Sequence, residues 1–255
     1  MKKRNGLIVF LALFLSVCHA AKEPSTAASG EAVAEDSGAM ARYEIGDMIL
    51  ADGSAIHAAE FVGIDDQNAP IAVIAGFRDD DTALGIGVHR SDAPLPWASD
   101  HSAGYATRFE AIVSTQEAEA RFAGDRDGSD NWSAVVAQDD AGSKAPGSYP
   151  AFDFVNAYAE AHHLSGSWAS GWYMPSIAEL YVIYQNREAV NLSLKSIYQS
   201  DNRAAMNGLD VNWYWSSSQA DSEDDCAWFV HFLNGYAGEC PKNFTNVHGI
   251  AVRAF

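Results

Sequence analysis

The sequence predicts an α+β domain, and three observations carry that prediction. Apolar strand-like runs come first, at Ile71 to Phe77 and Leu84 to Val88. Helical periodicity occupies the middle of the chain, behind Pro150 and Pro175. From Met206 onward the pattern is strand and loop. Strands and helices grouped in blocks, without strict alternation, give the order of an α+β fold. No repeat of about 20–50 residues is visible, which excludes solenoids and propellers.

The segment Ile45 to Ser54 reads as a short strand closed by an Asp52-Gly53 turn. The two apolar runs are linked by Asp79-Asp80-Asp81 and are expected to pair antiparallel. Ser114-x-x-Glu117 has capping-box spacing and predicts a short helix ending at Gly124. Pro150 opens a helix in which Ala151, Phe154, Val155 and Tyr158 share one face. The strongest helix follows Pro175. There Ser176-x-x-Glu179 forms a capping box, and Ile177, Leu180, Tyr181 and Tyr184 recur at helical spacing. Glu179 is expected to satisfy backbone donors and to take no part in acid–base chemistry. In the strand Ala227 to Phe232, alternation assigns Trp228, Val230 and Phe232 to the core and leaves Phe229 and His231 outward. An Asn234-Gly235 turn then closes the final hairpin.

The beginning of the chain reads as an export signal. Lys2, Lys3 and Arg4 precede an apolar run from Leu7 to Val17 that is too short to span a bilayer stably. Leu15-Ser16-Val17-Cys18 looks like a bacterial lipobox, which makes Cys18 a lipidation site. Cys18-His19-Ala20 also has the small-x-small form of ordinary signal-peptidase cleavage after Ala20. Residues 1–20 are thus assigned to the signal. Residues 21–42, rich in Ala, Ser, Glu and Gly and without an aromatic until the domain begins, are assigned to a flexible tether. Residues 43–255 are long enough for one well-cored domain. The expected location is the cell envelope, lipid-anchored at the outer surface or in the periplasm, with membrane contact only through the lipid. A formal net charge of −18 repels phosphate backbones, so nucleic acid is not expected as a partner.

Enzymatic and metal chemistry find few parts. Asp125-Arg126-Asp127-Gly128-Ser129-Asp130-Asn131-Trp132 clusters carboxylates on a turn, but the bidentate Glu of a full calcium loop is missing. A turn with Asp130 capping the following helix is the simpler reading. His101, His162 and His163 form no ligand pattern, and no CxxC or Cys–His spacing occurs. No metal and no cofactor are therefore expected. A nucleophile elbow, a Walker loop and a dinucleotide-binding glycine fingerprint are all absent from the sequence. Cys226 and Cys240 flank the Asn234-Gly235 turn. In an oxidising compartment they form either a disulfide, which needs a bulge because ideal pairing puts Cys226 opposite Asn243, or two separate thiols.

The last third also carries a motif order. Gly171-Trp172-Tyr173-Met174-Pro175-Ser176-Ile177-Ala178-Glu179-Leu180 is followed by Trp213-Tyr214-Trp215-Ser216-Ser217-Ser218, then Ala227-Trp228-Phe229-Val230-His231-Phe232, and finally Val252-Arg253. This order resembles the C-terminal domain family first named from a Legionella collagen-like surface protein. The resemblance implies a C-type-lectin-like fold, with antiparallel strands, two main helices and long C-terminal loops. It also implies similarity to the variable proteins of diversity-generating retroelements, with Ser216, Ser217 and Ser218 as scaffold. The expected function is display of a binding surface for adhesion or recognition of a protein or glycan, on another cell or in the envelope. It is not an enzyme in this reading. A cell-envelope-modifying enzyme on the same fold is the alternative, by fold analogy alone. The candidate ligand-binding residues are Asp221, Ser222, Glu223, Asp224 and Asp225 in the acidic bend, and Phe229, His231, Tyr236, Glu239, Lys242, Asn243, Phe244 and Asn246 in the final hairpin. They combine aromatic contact area with adaptable polar groups on irregular loops.

Overall fold

A computed structural model describes residues 43–65, 68–200 and 206–255. The expected leader and tether, with Cys18, lie outside the described residues. Strands β1 (Met48–Leu50) and β2 (Ala55–Ile56) form a hairpin in which Gly53 adopts φ +90°, a conformation that favours glycine. Strands β3 (Pro70–Phe77) and β4 (Ala83–Arg90) pair antiparallel, as the apolar runs predict. The predicted helix at Ser114 is instead a hairpin of β5 (Val113–Ala118) and β6 (Arg121–Gly124). The Ser114 hydroxyl does not cap; it donates to the Asp125 carbonyl across the hairpin at 3.0 Å. Ala120 at φ +61° makes the turn.

Six helices follow in the described residues. They are α1 (Asn131–Gln138), α2 (Asp140–Ser143), α3 (Pro150–Asn156), α4 (Tyr158–Ala161), α5 (Ile177–Gln185) and α6 (Arg187–Ser200). The capping box of α5 forms as predicted, and Glu179 accepts N–H groups from Ser176 at 2.9 Å and from Gly128 at 3.0 Å. Helix α6, the longest, was not anticipated. It buries Val190, Leu194 and Ile197, one stripe at helical spacing.

The chain then returns to strands β7 (Trp213–Ala220), β8 (Cys226–His231), β9 (Tyr236–Pro241) and β10 (Ile250–Ala254). One five-stranded sheet has the order β10-β4-β3-β1-β2, so the last strand closes against the early ones. The other has the order β6-β5-β7-β8-β9, with β5 and β7 parallel. The architecture is a mixed α+β fold.

The central strands of both sheets, β3 and β4 in one and β7 and β8 in the other, are covered on both faces. Trp228 and Val230 belong to a core with Val73, Leu84 and Leu180, whereas Trp215 and Phe229 belong to a second core with Trp97, Phe109 and Phe152. The segment before α1 crosses this second face. Trp97 Nε1–H donates to the Ser216 carbonyl at 3.0 Å, and Trp215 Nε1–H to the Leu95 carbonyl at 2.7 Å.

Candidate functional site

The end of the β7–β8–β9 sheet presents a row of rings. Trp213 on β7 stands opposite His231 on β8, and His231 stands opposite Tyr236 on β9. Residues in register across a sheet share a face, so the three side chains line one edge of it. Beneath them lies Phe229, stacked on Trp213 at 4.8 Å and 3° and meeting Tyr236 at 6.0 Å. Phe244 comes in from the following loop, 6.1 Å from Trp213. Tyr236 is 60% exposed and Phe244 37%, while Trp213 and His231 are half-buried. Gly238 makes room for this layer: a Cβ there would sit 2.5 Å from the Tyr236 ring and 2.8 Å from Phe229.

Clefts open at both ends of the hairpin. At its tip, an open cleft of about 550 Å³ is lined by Gln116, Glu117, Glu119, Tyr181, Asn234 and Tyr236, among others. At its base, a cleft of about 510 Å³ lies between the Asp221–Asp225 bend and Tyr105 and Arg108. Arg108 holds that bend, donating to Glu110 at 2.7 Å and to the Asp221 carboxylate at 2.5 Å. The Ser222 hydroxyl donates to Glu239, and the Tyr105 hydroxyl to Asp225 at 3.3 Å. The expected acidic bend and Tyr236 are therefore not one patch. They border two separate clefts.

Three expectations are corrected. Phe229 is 3% exposed and belongs to the second core, because the face opposite Trp228 is also covered. Lys242 is fully buried. Its ammonium donates to the carbonyls of Gly104 at 2.9 Å, Thr107 at 2.8 Å and Asp224 at 2.8 Å, and it lies 5.0 Å from the Trp97 and Phe109 rings. It ties the acidic bend to the 104–107 segment and is unavailable to a ligand. Burial pushes its pKa down to about 7. Three acceptors, one for each ammonium N–H, work in the opposite direction. Finally, Cys226 and Cys240 are free thiols. The register sets Cys226 opposite Pro241 and Cys240 opposite Ala227, so the two side chains point to opposite faces. Burial raises the two thiols to about 11 and about 12, which keeps them protonated.

Of the other expected residues, Glu239 and Asn246 are exposed and Asn243 is half-buried. Trp213, Tyr181, Glu117, Glu119, Tyr105 and Arg108 border the site and were not anticipated. Cross-strand register brings in Trp213, the approach of β5–β6 brings Glu117 and Glu119, helix α5 brings Tyr181, and the segment 103–110 brings Tyr105 and Arg108. The Asp125–Trp132 turn is occupied by internal bonds. Asp125 accepts from Asn131 at 2.6 Å and from the Ser218 hydroxyl at 2.9 Å, and Asp127 pairs with Arg78. Asp130 stands at the α1 N-cap without a side-chain capping bond. Among the described residues, no group of three His, Cys, Asp or Glu is arranged to hold a metal ion. His162 stacks on His89 at 3.8 Å, and its pKa falls to about 4 through burial and that neighbour.

No protein-family profile matches the sequence, and no curated protein matches it. Among solved structures, the fold is similar to that of a fimbrial protein from Bacteroides ovatus ATCC 8483. The TM-score is 0.58 at 18% identity, over 84% of this chain and 49% of that one. The chain thus spans about half the length of the structure it matches. At that identity the likeness is one of fold.

Proposed function

We propose that this chain is a surface-displayed binding protein, with a C-type-lectin-like domain that presents the Trp213–His231–Tyr236 row to a protein or glycan. The observation that carries this reading is the ring layer itself. Tyr236 stands 60% exposed on a rigid three-strand platform whose underlying ring, Phe229, is locked in place. Exposed aromatics held by a packed scaffold, with acidic and amide groups around them, supply contact area at little entropic cost. The cleft beside the row is open to solvent, as suits a macromolecular partner.

Three further features support display and adhesion. The lipobox-like Leu15-Ser16-Val17-Cys18 precedes a tether-like segment. The motif order of the last third resembles the Legionella collagen-like C-terminal family. The similar fold from Bacteroides ovatus belongs to a protein described as fimbrial. No catalytic residue is assigned.

The test is a screen of the full chain on arrays of glycans and of envelope and host proteins. Saturable binding lost in both Tyr236→Ala and His231→Ala supports the proposal. Binding that survives both substitutions, or no saturable binding to any array member, rejects it.

A further inference from the structure

We infer that the partner is a protein that adds an extended strand to the open edge of β9, bonding the main chain of Ala237 and Glu239. This rests on the binding role proposed above and selects the protein from the two partner classes named there.

The register fixes which way the main chain of β9 faces. Cys226 stands opposite Pro241, so Asp225 stands opposite Lys242, and the Lys242 N–H donates to the Asp225 carbonyl at 2.7 Å. Bonded and unbonded pairs alternate along an antiparallel ladder. Ala227–Cys240 and Phe229–Gly238 are therefore bonded pairs, and the N–H and C=O groups of Ala237 and Glu239 point away from β8. The other edge of β8 agrees. Phe232, of opposite parity to Phe229, donates its N–H to the Asn212 carbonyl at 3.0 Å. Among the described residues, nothing bonds the outward main-chain groups of Ala237 and Glu239.

The other outer strands are shorter or occupied. Strand β2 has two residues. In β10, Val252 exchanges both main-chain bonds with Tyr173, at 2.9 and 2.8 Å. In β6, the Phe122 carbonyl accepts from Arg126 at 3.0 Å. Strand β9 instead runs six residues in register with β8 without a bulge. A regular open edge is a template for another chain. It ends at Pro241, which lacks an N–H and whose carbonyl accepts from Phe244 at 2.9 Å.

The occupant follows from the spacing of these groups. Ala237 and Glu239 each offer one donor and one acceptor on the same edge, and an extended main chain returns both at the same repeat. The approach is open, because Tyr236 and Ala237 line the tip cleft of about 550 Å³. One side chain of the incoming strand is also specified. The residue opposite Gly238 lies on the Phe229 face, where Gly238 presents no side chain and the exposed Tyr236 ring stands beside it. A bulky apolar residue fits there, since aromatic and β-branched cross-strand neighbours attract.

The test begins with a displayed library of random heptapeptides selected on the full chain. The tightest peptide is then made with a single N-methyl group at each position in turn. Methylation should weaken binding at least about tenfold at alternate positions, whose N–H groups face β9, and less than about twofold between them. On the protein, Glu239→Pro removes an outward N–H without touching the ladder to β8. It should bind the peptide at least about tenfold more weakly than Glu239→Ala, with thermal melts checking that both fold. Should Glu239→Pro not fold, the N-methyl scan decides alone. A scan without a two-residue period, or equal affinities in the two folded variants, would overturn the inference. Selection of no peptide would also overturn it, while glycan binding lost in Tyr236→Ala and His231→Ala would leave the binding role intact. A dimer dispersed by Glu239→Pro would make a second copy the occupant and overturn it too. If array binding survives Tyr236→Ala and His231→Ala, the binding role itself fails and the inference falls with it.

Discussion

Truncating Phe229 separates the two-sided core from a one-sided sheet. Strand alternation alone puts Phe229 in solvent, where Phe229→Ala changes stability by no more than about half a kcal/mol. In the structure it is 3% exposed, stacked on Trp213 at 4.8 Å, and in edge contact with Tyr236 at 6.0 Å and Trp215 at 6.5 Å. Removing a buried phenyl ring costs about 3–5 kcal/mol through lost transfer energy and the cavity left behind. Trp213 and Tyr236 border the cavity and are partly exposed, so they can relax into it, which puts the expectation at about 3 kcal/mol. The stacked pair with Trp213 should add a coupling of about 1 kcal/mol in a double-mutant cycle with Trp213→Ala. Urea unfolding followed by far-ultraviolet circular dichroism reads both quantities. Trp228→Ala, which also removes the bond of its Nε1–H to the Ser114 carbonyl at 2.9 Å, should cost at least as much. A loss below about 1 kcal/mol for Phe229→Ala, with Trp228→Ala costly, would refute the second core.

Two further outcomes follow from the buried titratable groups. The Lys242 pKa lies near 7 when folded and at the ordinary lysine value when unfolded, so between those limits the unfolded chain binds the proton that the folded chain has lost. Stability should therefore rise with pH across that window, and Lys242→Met should remove the rise; urea melts from about pH 6.5 to 10 decide it, a parallel profile in the variant counting against the assignment. Because Cys226 and Cys240 face opposite sides of β8–β9, reductant should leave the melting temperature of the oxidatively purified chain unchanged. A fall of several degrees on reduction would reveal a disulfide that the register does not permit.

Much of the scaffold is legible in local pattern. The α5 capping box, the β3–β4 hairpin and the Gly53 turn are set by neighbouring residues, and each forms where the sequence places it. Ser114-x-x-Glu117 misleads because a capping box is a spacing, and the same spacing occurs in a strand whose serine bonds across a hairpin. The α6 stripe of Val190, Leu194 and Ile197 was available to the same periodicity argument that identifies α5. The site is harder to read. Alternation distinguishes the faces of β8 correctly, but it cannot tell whether the second face is covered. The cover comes from Trp97, Phe109 and Phe152, more than 70 residues earlier. Lys242 is hidden for the same reason: its partners are backbone carbonyls, which leave no trace in residue identity. The Trp213–His231–Tyr236 row needs the register of three strands, two of which are separated from the third by an acidic bend of unguessable length.

The most direct test of the central claim, that the end of the β7–β8–β9 sheet is the binding surface, is a hydrogen–deuterium exchange footprint. The full chain would be compared with and without the tightest ligand from the arrays. Slowed exchange should concentrate in residues 213–215, 231–237 and 243–246, with 116–119 joining them if the partner reaches the tip cleft. Protection confined to the cleft around Arg78, Arg126 and Glu179, with the hairpin unchanged, would contradict the account.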